Sequence, residues 1–364
     1  MPALAAIPAW SAAGLALLVP FALWFDGQVH VSQAQWFGLA LAGGMFALVV
    51  GNRGAAALLA LSSAMLLVGR HLAVTRAIPL EVYQAASDAH AYLVAGVAVL
   101  ALAPIVFAGR LALLLNACRA LVLLLAAWWL AGLLGLDPLL KPSPDGAGLA
   151  MGHNGGPLGS PIILAGLVGA AWPLFIAGRW AYCLPLLAGC LAMQDSATGW
   201  LAAGAAAFAC LWACARPLGN RLHWWIAGVA LAALAAGVLA AVIWHRGPGA
   251  SHRLMIWAQV VQDARLIGWG PGSWASTLGR KVGHASPYSA YALVLWEYGW
   301  LGLACIAFAA WHALRRALGN PALLASLVGL LAASGGTMIW EQPVTATWGL
   351  LLLGLIEVDH GRGR

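Results

Sequence analysis

From Leu222 to Trp244 the chain reads LHWWIAGVALAALAAGVLAAVIW, without one Asp, Glu, Lys or Arg. A helix of that length crosses the roughly 30 Å of a bilayer's hydrocarbon. In lipid only helices and closed barrels satisfy every backbone polar group. Apolar stretches of this kind recur along the whole chain, while the short alternating strands of a barrel do not appear. The reading is an all-α, polytopic membrane helix bundle of about twelve transmembrane helices. Its spans are 7–25, 35–51, 54–69, 90–109, 111–136, 160–178, 180–193, 197–215, 222–244, 288–311, 321–340 and 344–358. The seventh and twelfth are short, so one re-entrant pair would lower the count to about ten or eleven. Composition agrees: 63% hydrophobic and 8% charged residues, with mean hydropathy +0.88, leave too little polar surface for a water-soluble chain.

Orientation follows from arginine, which is retained on the cytoplasmic side in short loops. With the N-terminus inside, the inner turns carry Arg53, Arg110, Arg179, Arg216, Arg221, Arg315, Arg316, Arg362 and Arg364, against only Glu357 and Asp359. The opposite side collects Asp26, Glu81, Asp88, Asp137, Asp145, Asp195 and Glu341. Both termini are then cytoplasmic. The opening MPALAAIPAWSAAGLALLVPFALWF lacks a basic n-region, no small-residue cleavage site follows its apolar run, and it reads as an uncleaved first span. The net charge of +7 is a topology signal and an affinity for anionic headgroups, not a nucleic-acid footprint. All six cysteines fall in apolar spans with no CxxC, so they read as packing residues, and neither a metal nor a cofactor is expected.

The chain reads as one integral-membrane domain, 1–364, with two longer segments on the outer side. The first, 137–159, is rich in Gly and Pro and therefore irregular. His153 in its GHNGGP stretch has no second ligand nearby and reads as a turn residue. The second, 245–287, carries Arg246, His252, Arg253, Asp263, Arg265, Arg280, Lys281 and His284. Within it Met255, Ile256, Trp257, Val260 and Val261 fit a helical face over about 252–265, an amphipathic helix at the outer surface, before IGWGPGSW breaks the pattern. GWGPGSW neither follows a buried strand nor opens a βαβ unit, so it is no dinucleotide fingerprint.

Four pieces stand in order: GPLGSPIILAGLVGAAWPLF (156–175), QDSATGWLA (194–202), RLMIWAQVVQDARLIGWGPGSW (253–274) and LVLWEYGWLGL (293–303). This order resembles the O-antigen ligase and O-antigen polymerase superfamily. That superfamily has a Gly-rich stretch ahead of a span, a Ser-Arg or Ser-x-Thr pair at a span start and an Arg-x-x-x-Trp loop helix. A glycine-spaced turn follows, then Glu-x-Gly-x-x-Gly in the next span. The resemblance covers roughly residues 155–310.

The resemblance implies a metal-independent glycosyltransferase of the bacterial inner membrane. Its donor is a polyprenyl-diphosphate-linked glycan used at the periplasmic face. Its acceptor is a hydroxyl on lipid A core, on a second lipid-linked repeat or on a protein Ser/Thr. Membrane lipids are the other partners. The departing lipid diphosphate gains negative charge, which guanidinium groups meet bidentately. Arg253 matches the superfamily's loop arginine. Arg265 is placed to grip the second phosphate, with Asp263 orienting it. Against this stands the reading that both arginines snorkel to lipid headgroups.

An acceptor hydroxyl needs a general base, and here the pattern departs from the superfamily's His-Asn or His-Ser pair. Counting back about nine residues from Glu297 lands on Tyr288 and Ser289, with His284 one helical turn earlier. Either His284 reaches the same place, aided by the helix break at Pro287, or the base is missing. Glu297 is an acid inside a span; it either holds the helix end against Arg253 or accepts a hydrogen bond from a neighbouring helix. Thr198 stands where many relatives have arginine, and Asp195 beside it reads as a helix cap. The competing classes are a transporter or flippase for a lipid-linked sugar, and an inactive scaffold of envelope assembly.

Overall fold

The computed structural model describes residues 111–133, 161–194, 196–215, 248–270, 273–283, 287–337, 340 and 343–362. Among them all regular structure is helical: α1 Leu111–Leu133, α2 Pro161–Ala171, α3 Leu184–Met193, α4 Ala197–Ala215, α5 Pro248–Asp263, α6 Ser273–Ser276, α7 Leu278–Val282, α8 Ala290–Ala317, α9 Pro321–Gly336 and α10 Pro343–Arg362. Three of these, α1, α4 and α8, are long and apolar enough to cross a membrane. Shorter apolar helices run over Ile162–Phe175 and Pro321–Gly336. The spans expected at 7–25, 35–51, 54–69, 90–109 and 222–244, and the loop 137–159, lie outside the described residues.

Three expected spans differ in continuity. The span at 160–178 is α-helical only to Ala171 and tightens into a 3-10 turn over Trp172–Phe175. Pro173 explains this, since it has no N–H for the helical ladder and its ring crowds the preceding turn. The span at 180–193 begins as a second 3-10 turn, Gly178–Cys183, and becomes α-helical with Pro185 in its first turn, where proline is tolerated. The span at 288–311 runs on to Ala317 but is broken inside by Gly299, whose φ is +71° and ψ −168°. The last span is longer than expected and reaches Arg362.

The chain divides into two compact units: one contains Pro248–Arg316 and Leu353–Arg364, the other Ala112–Gly247 and Ala317–Leu352. In the second unit α2, α4 and α9 pack on one another through small residues, with Ala165, Ala202, Ala206, Ala325 and Ala333 fully buried. The approach is close enough that a Cβ on Gly169 would fall 2.3 Å from the Gly199 carbonyl oxygen. Lipid offers no hydrophobic drive for association, so helix contact of this kind rests on close van der Waals packing. Asn320 opens α9 by accepting the Leu323 N–H at 3.3 Å, the usual N-cap bond.

The first unit has a separate core. Ile256 and Val260 of α5 meet Trp274 of α6, Leu278 of α7 and Ala292, Leu295 and Trp296 of α8. The expected amphipathic helix is present, but its buried face is narrower than the pattern suggested. Met255 and Val261 lie exposed beside Leu254, because each is about 100° around the helix from its buried neighbour. In the same unit Arg316 and Glu357 form an ion pair, which brings the last turns of α8 and α10 together.

Candidate functional site

α5 carries Arg253 on the side that meets the start of α8. One turn on, Trp257 donates its indole N–H to the Pro287 carbonyl at 2.8 Å, which fixes the backbone ahead of α8. The next residue, Tyr288, has φ +57° and is the one non-glycine residue with positive φ among the described residues. A bulky residue holds that conformation only where its surroundings over-determine it. Ser289 then caps α8, its hydroxyl accepting the Ala292 N–H at 3.3 Å. With the backbone so placed, the Arg253 guanidinium lies 4.7 Å over the Tyr288 ring.

The second arginine is held in the same manner. Arg265 follows the end of α5, and its guanidinium lies 3.3 Å from the centre of the Trp269 ring. Trp269 stacks on Trp296 at 5.3 Å with the planes 16° apart, and Trp274 meets Trp296 edge-on at 6.0 Å. The indole N–H of Trp269 donates to the Asp263 carbonyl at 3.1 Å, and that of Trp296 to the Thr277 hydroxyl at 3.1 Å. A guanidinium held over a ring by its face leaves its N–H edges at the periphery, able to fork onto two oxygens of one phosphate. Asp263 itself accepts the Gln259 side-chain amide at 2.7 Å, so its carboxylate faces along α5 rather than onto Arg265.

The break in α8 positions this loop. The Trp269 and Gly270 N–H groups donate to the Trp296 and Glu297 carbonyls at 2.9 and 3.0 Å. The Trp300 and Leu301 N–H groups donate to the Arg265 and Leu266 carbonyls at 3.1 and 3.0 Å. Every one of these four groups of α8 would be in the helical ladder were the helix continuous. The loop supplies the lost partners of these four groups, which would otherwise be stranded in an apolar setting.

Glu297, 8% exposed, sits at the break, and its carboxylate accepts the Trp274 N–H of α6 at 3.5 Å. Of the two roles read from the sequence, this contact is that of the acceptor for a neighbouring helix. Thr198 belongs to the second unit, where its hydroxyl donates to the Gly336 carbonyl at 3.2 Å and joins α4 to α9. His284 and Asp195 lie outside the described residues. Arg253, Arg265, Tyr288, Glu297 and Asp263 are therefore gathered in the first unit.

The sequence reading passed over Trp269, Trp274 and Trp296, which hold Arg265 and the loop, and over Arg119 inside α1. The alternating glycines of GWGPG were a signal of close backbone approach; nothing in the apolar run around Trp296 marked it as their partner.

These elements define a helical membrane protein with a folded loop clamped to a broken helix. No protein-family model, curated protein or solved structure matches the chain.

Proposed function

We propose that the chain transfers a glycan from a polyprenyl-diphosphate carrier to an acceptor hydroxyl at the periplasmic face of the bacterial inner membrane, in the manner of an O-antigen ligase or polymerase. The acceptor oxygen attacks the anomeric carbon of the donor, the bond from that carbon to the diphosphate breaks, and the carrier diphosphate leaves with the electron pair. The hydroxyl proton passes to a base, which the reading assigns to His284. Arg253 and Arg265 bind the diphosphate as its charge grows. Tyr288 and Glu297 hold the loop that presents them, and Asp263 closes the end of α5. In the proposed topology, of about twelve spans with cytoplasmic termini, that loop is outside.

The observation that carries this reading is the pair of guanidinium groups, each held on an aromatic ring in one folded segment: Arg253 on Tyr288 and Arg265 on Trp269. A guanidinium already ordered on a ring loses less freedom when it binds a phosphate.

The break in α8 favours a second reading, a transporter of lipid-linked sugars, because broken helices line many transport paths. Its carbonyls, however, are taken by loop N–H groups and not open to a passing ion. Purified protein incubated with lipid-diphosphate glycan and an acceptor separates the two. The enzyme releases polyprenyl diphosphate stoichiometrically with glycan transfer; a transporter or scaffold releases none.

A further inference from the structure

Arg119 lies nine positions into α1, in the apolar interior of a helix that crosses 23 residues without an acid. It is 9% exposed. An arginine in such a place is costly and needs partners. Its Nε donates to the Leu174 carbonyl at 2.7 Å, at the end of the 3-10 turn Trp172–Phe175. Its Nη1 donates to the Asn116 side-chain oxygen at 3.3 Å. Both partners are neutral, and among the described residues no carboxylate stands within ion-pairing distance of it.

The guanidinium of Arg119 also lies 5.5 Å from the Trp180 ring centre, and that of Arg179 lies 5.8 Å from the same centre. Phe175 braces this indole edge-on at 6.2 Å. Two cations drawn to one ring repel each other, and the attraction of each to the ring is only about 0.5–1 kcal/mol at exposed sites. An anion between or beside them removes the repulsion.

The local backbone opens the place to the surroundings. Ile176 and Ala177 separate the two 3-10 turns, and Gly178, with φ +68°, opens the second. Ile176 through Arg179 are exposed, and Tyr182 is 88% exposed. The turn from Ile176 to Cys183 contains no acid. Exposed Ile176 and Tyr182 beside buried and exposed arginines suit a ligand with acyl chains on one side and an anionic head on the other. Forked guanidinium groups match phosphate oxygens, and since among the described residues no carboxylate pairs with either arginine, the head this site favours is anionic rather than zwitterionic.

We propose that Arg119 and Arg179, gathered on Trp180, form a binding site for the phosphate of an anionic phospholipid. The site lies wholly in the second unit and stands independently of the glycosyl-transfer reading.

The test uses the full chain, delipidated in neutral detergent, with thermal unfolding followed as phosphatidylglycerol, phosphatidylcholine or inorganic phosphate is added. Phosphatidylglycerol is expected to raise Tm saturably, and the other two are not. Arg179→Gln, a change at an exposed position that leaves the fold intact, is expected to weaken the apparent lipid affinity roughly five- to tenfold, the worth of one arginine at a lipid surface. Arg119→Lys, which keeps the charge and loses the fork, is expected to weaken it as well. Arg280→Gln, at an exposed arginine of the other unit, is expected to change nothing. Wild-type lipid affinity in Arg179→Gln, an equal loss in Arg280→Gln, or inorganic phosphate matching the lipid at equal concentration overturns the site.

Discussion

Gly268 and Gly299 occupy one another's side-chain space. A Cβ on Gly268 would stand 2.4 Å from the Glu297 carbonyl oxygen, and a Cβ on Gly299 would stand 2.4 Å from the Gly268 nitrogen. Both residues have positive φ, +79° and +71°. Neither contact is between flexible side chains, so neither neighbour is able to turn aside. The loop that holds Arg265 and the broken span that holds Glu297 are thus one object, and the arginine's place depends on two absent side chains.

Gly299→Ala is expected to destabilise the protein by more than the roughly 1–3 kcal/mol of a residue forced into a sparsely populated backbone region, because φ +71° with ψ −168° is open essentially to glycine alone and the methyl also meets the Arg265 and Leu266 carbonyls. Gly319→Ala is the comparison: nothing lies within 4 Å of its Cβ position, and surface changes of that kind stay within about 0.5 kcal/mol. Thermal unfolding in detergent reads both. A Gly299→Ala protein as stable as Gly319→Ala would remove the clamp from this account.

How much of this was readable beforehand differs from residue to residue. α5 was legible because Ile256, Trp257 and Val260 repeat at helical spacing, and periodicity is a local property. The break at Gly299 was not, since LWEYGWLGL is apolar throughout and a glycine in a span is unremarkable; only the arrival of Gly268 from about 30 residues away (sequence separation) explains it. Trp269 was passed over because its role lies in the partners it finds, Arg265 on its ring and Trp296 against it. Arg119 shows the same limit, its Nε partner Leu174 lying 55 residues on. The pairing of Glu357 with Arg316 also explains why an acid appears among turns otherwise kept basic.

That ion pair makes the topology testable at specific places. The last turns of α8 and α10 meet through it, so they share a membrane face, and the proposed topology puts that face in the cytoplasm. Reporters fused near Arg216 and Arg316 are expected to read cytoplasmic, and one near Gly279 external. An internal Gly279 ends the proposed periplasmic site, whatever the other two report.

The base is decided by comparing two substitutions. His284→Ala is expected to lower turnover by about two to four powers of ten with donor binding nearly intact, the scale for losing a general base. Tyr288→Phe keeps the ring under Arg253 and is expected to retain most activity. Should Tyr288→Phe be inactive while His284→Ala is not, the strained tyrosine, not the histidine, carries the proton, and the register of the loop has been misread.

Arg253 offers the most direct measurement. Losing a charge-assisted contact to phosphate costs about 1.5–3 kcal/mol, so Arg253→Ala is expected to lower donor use roughly ten- to a hundredfold. Arg253→Lys keeps the charge but does not fork onto two oxygens, and is expected to recover only part of it. Arg53→Ala, on the side assigned to the cytoplasm, is expected to change abundance at most. Activity is read per folded molecule, as polyprenyl diphosphate released. If Arg253→Ala and Arg53→Ala lose equally, the loss reflects insertion and the site fails; if Arg253→Ala loses nothing, the guanidinium over Tyr288 is a headgroup anchor and the diphosphate is held elsewhere.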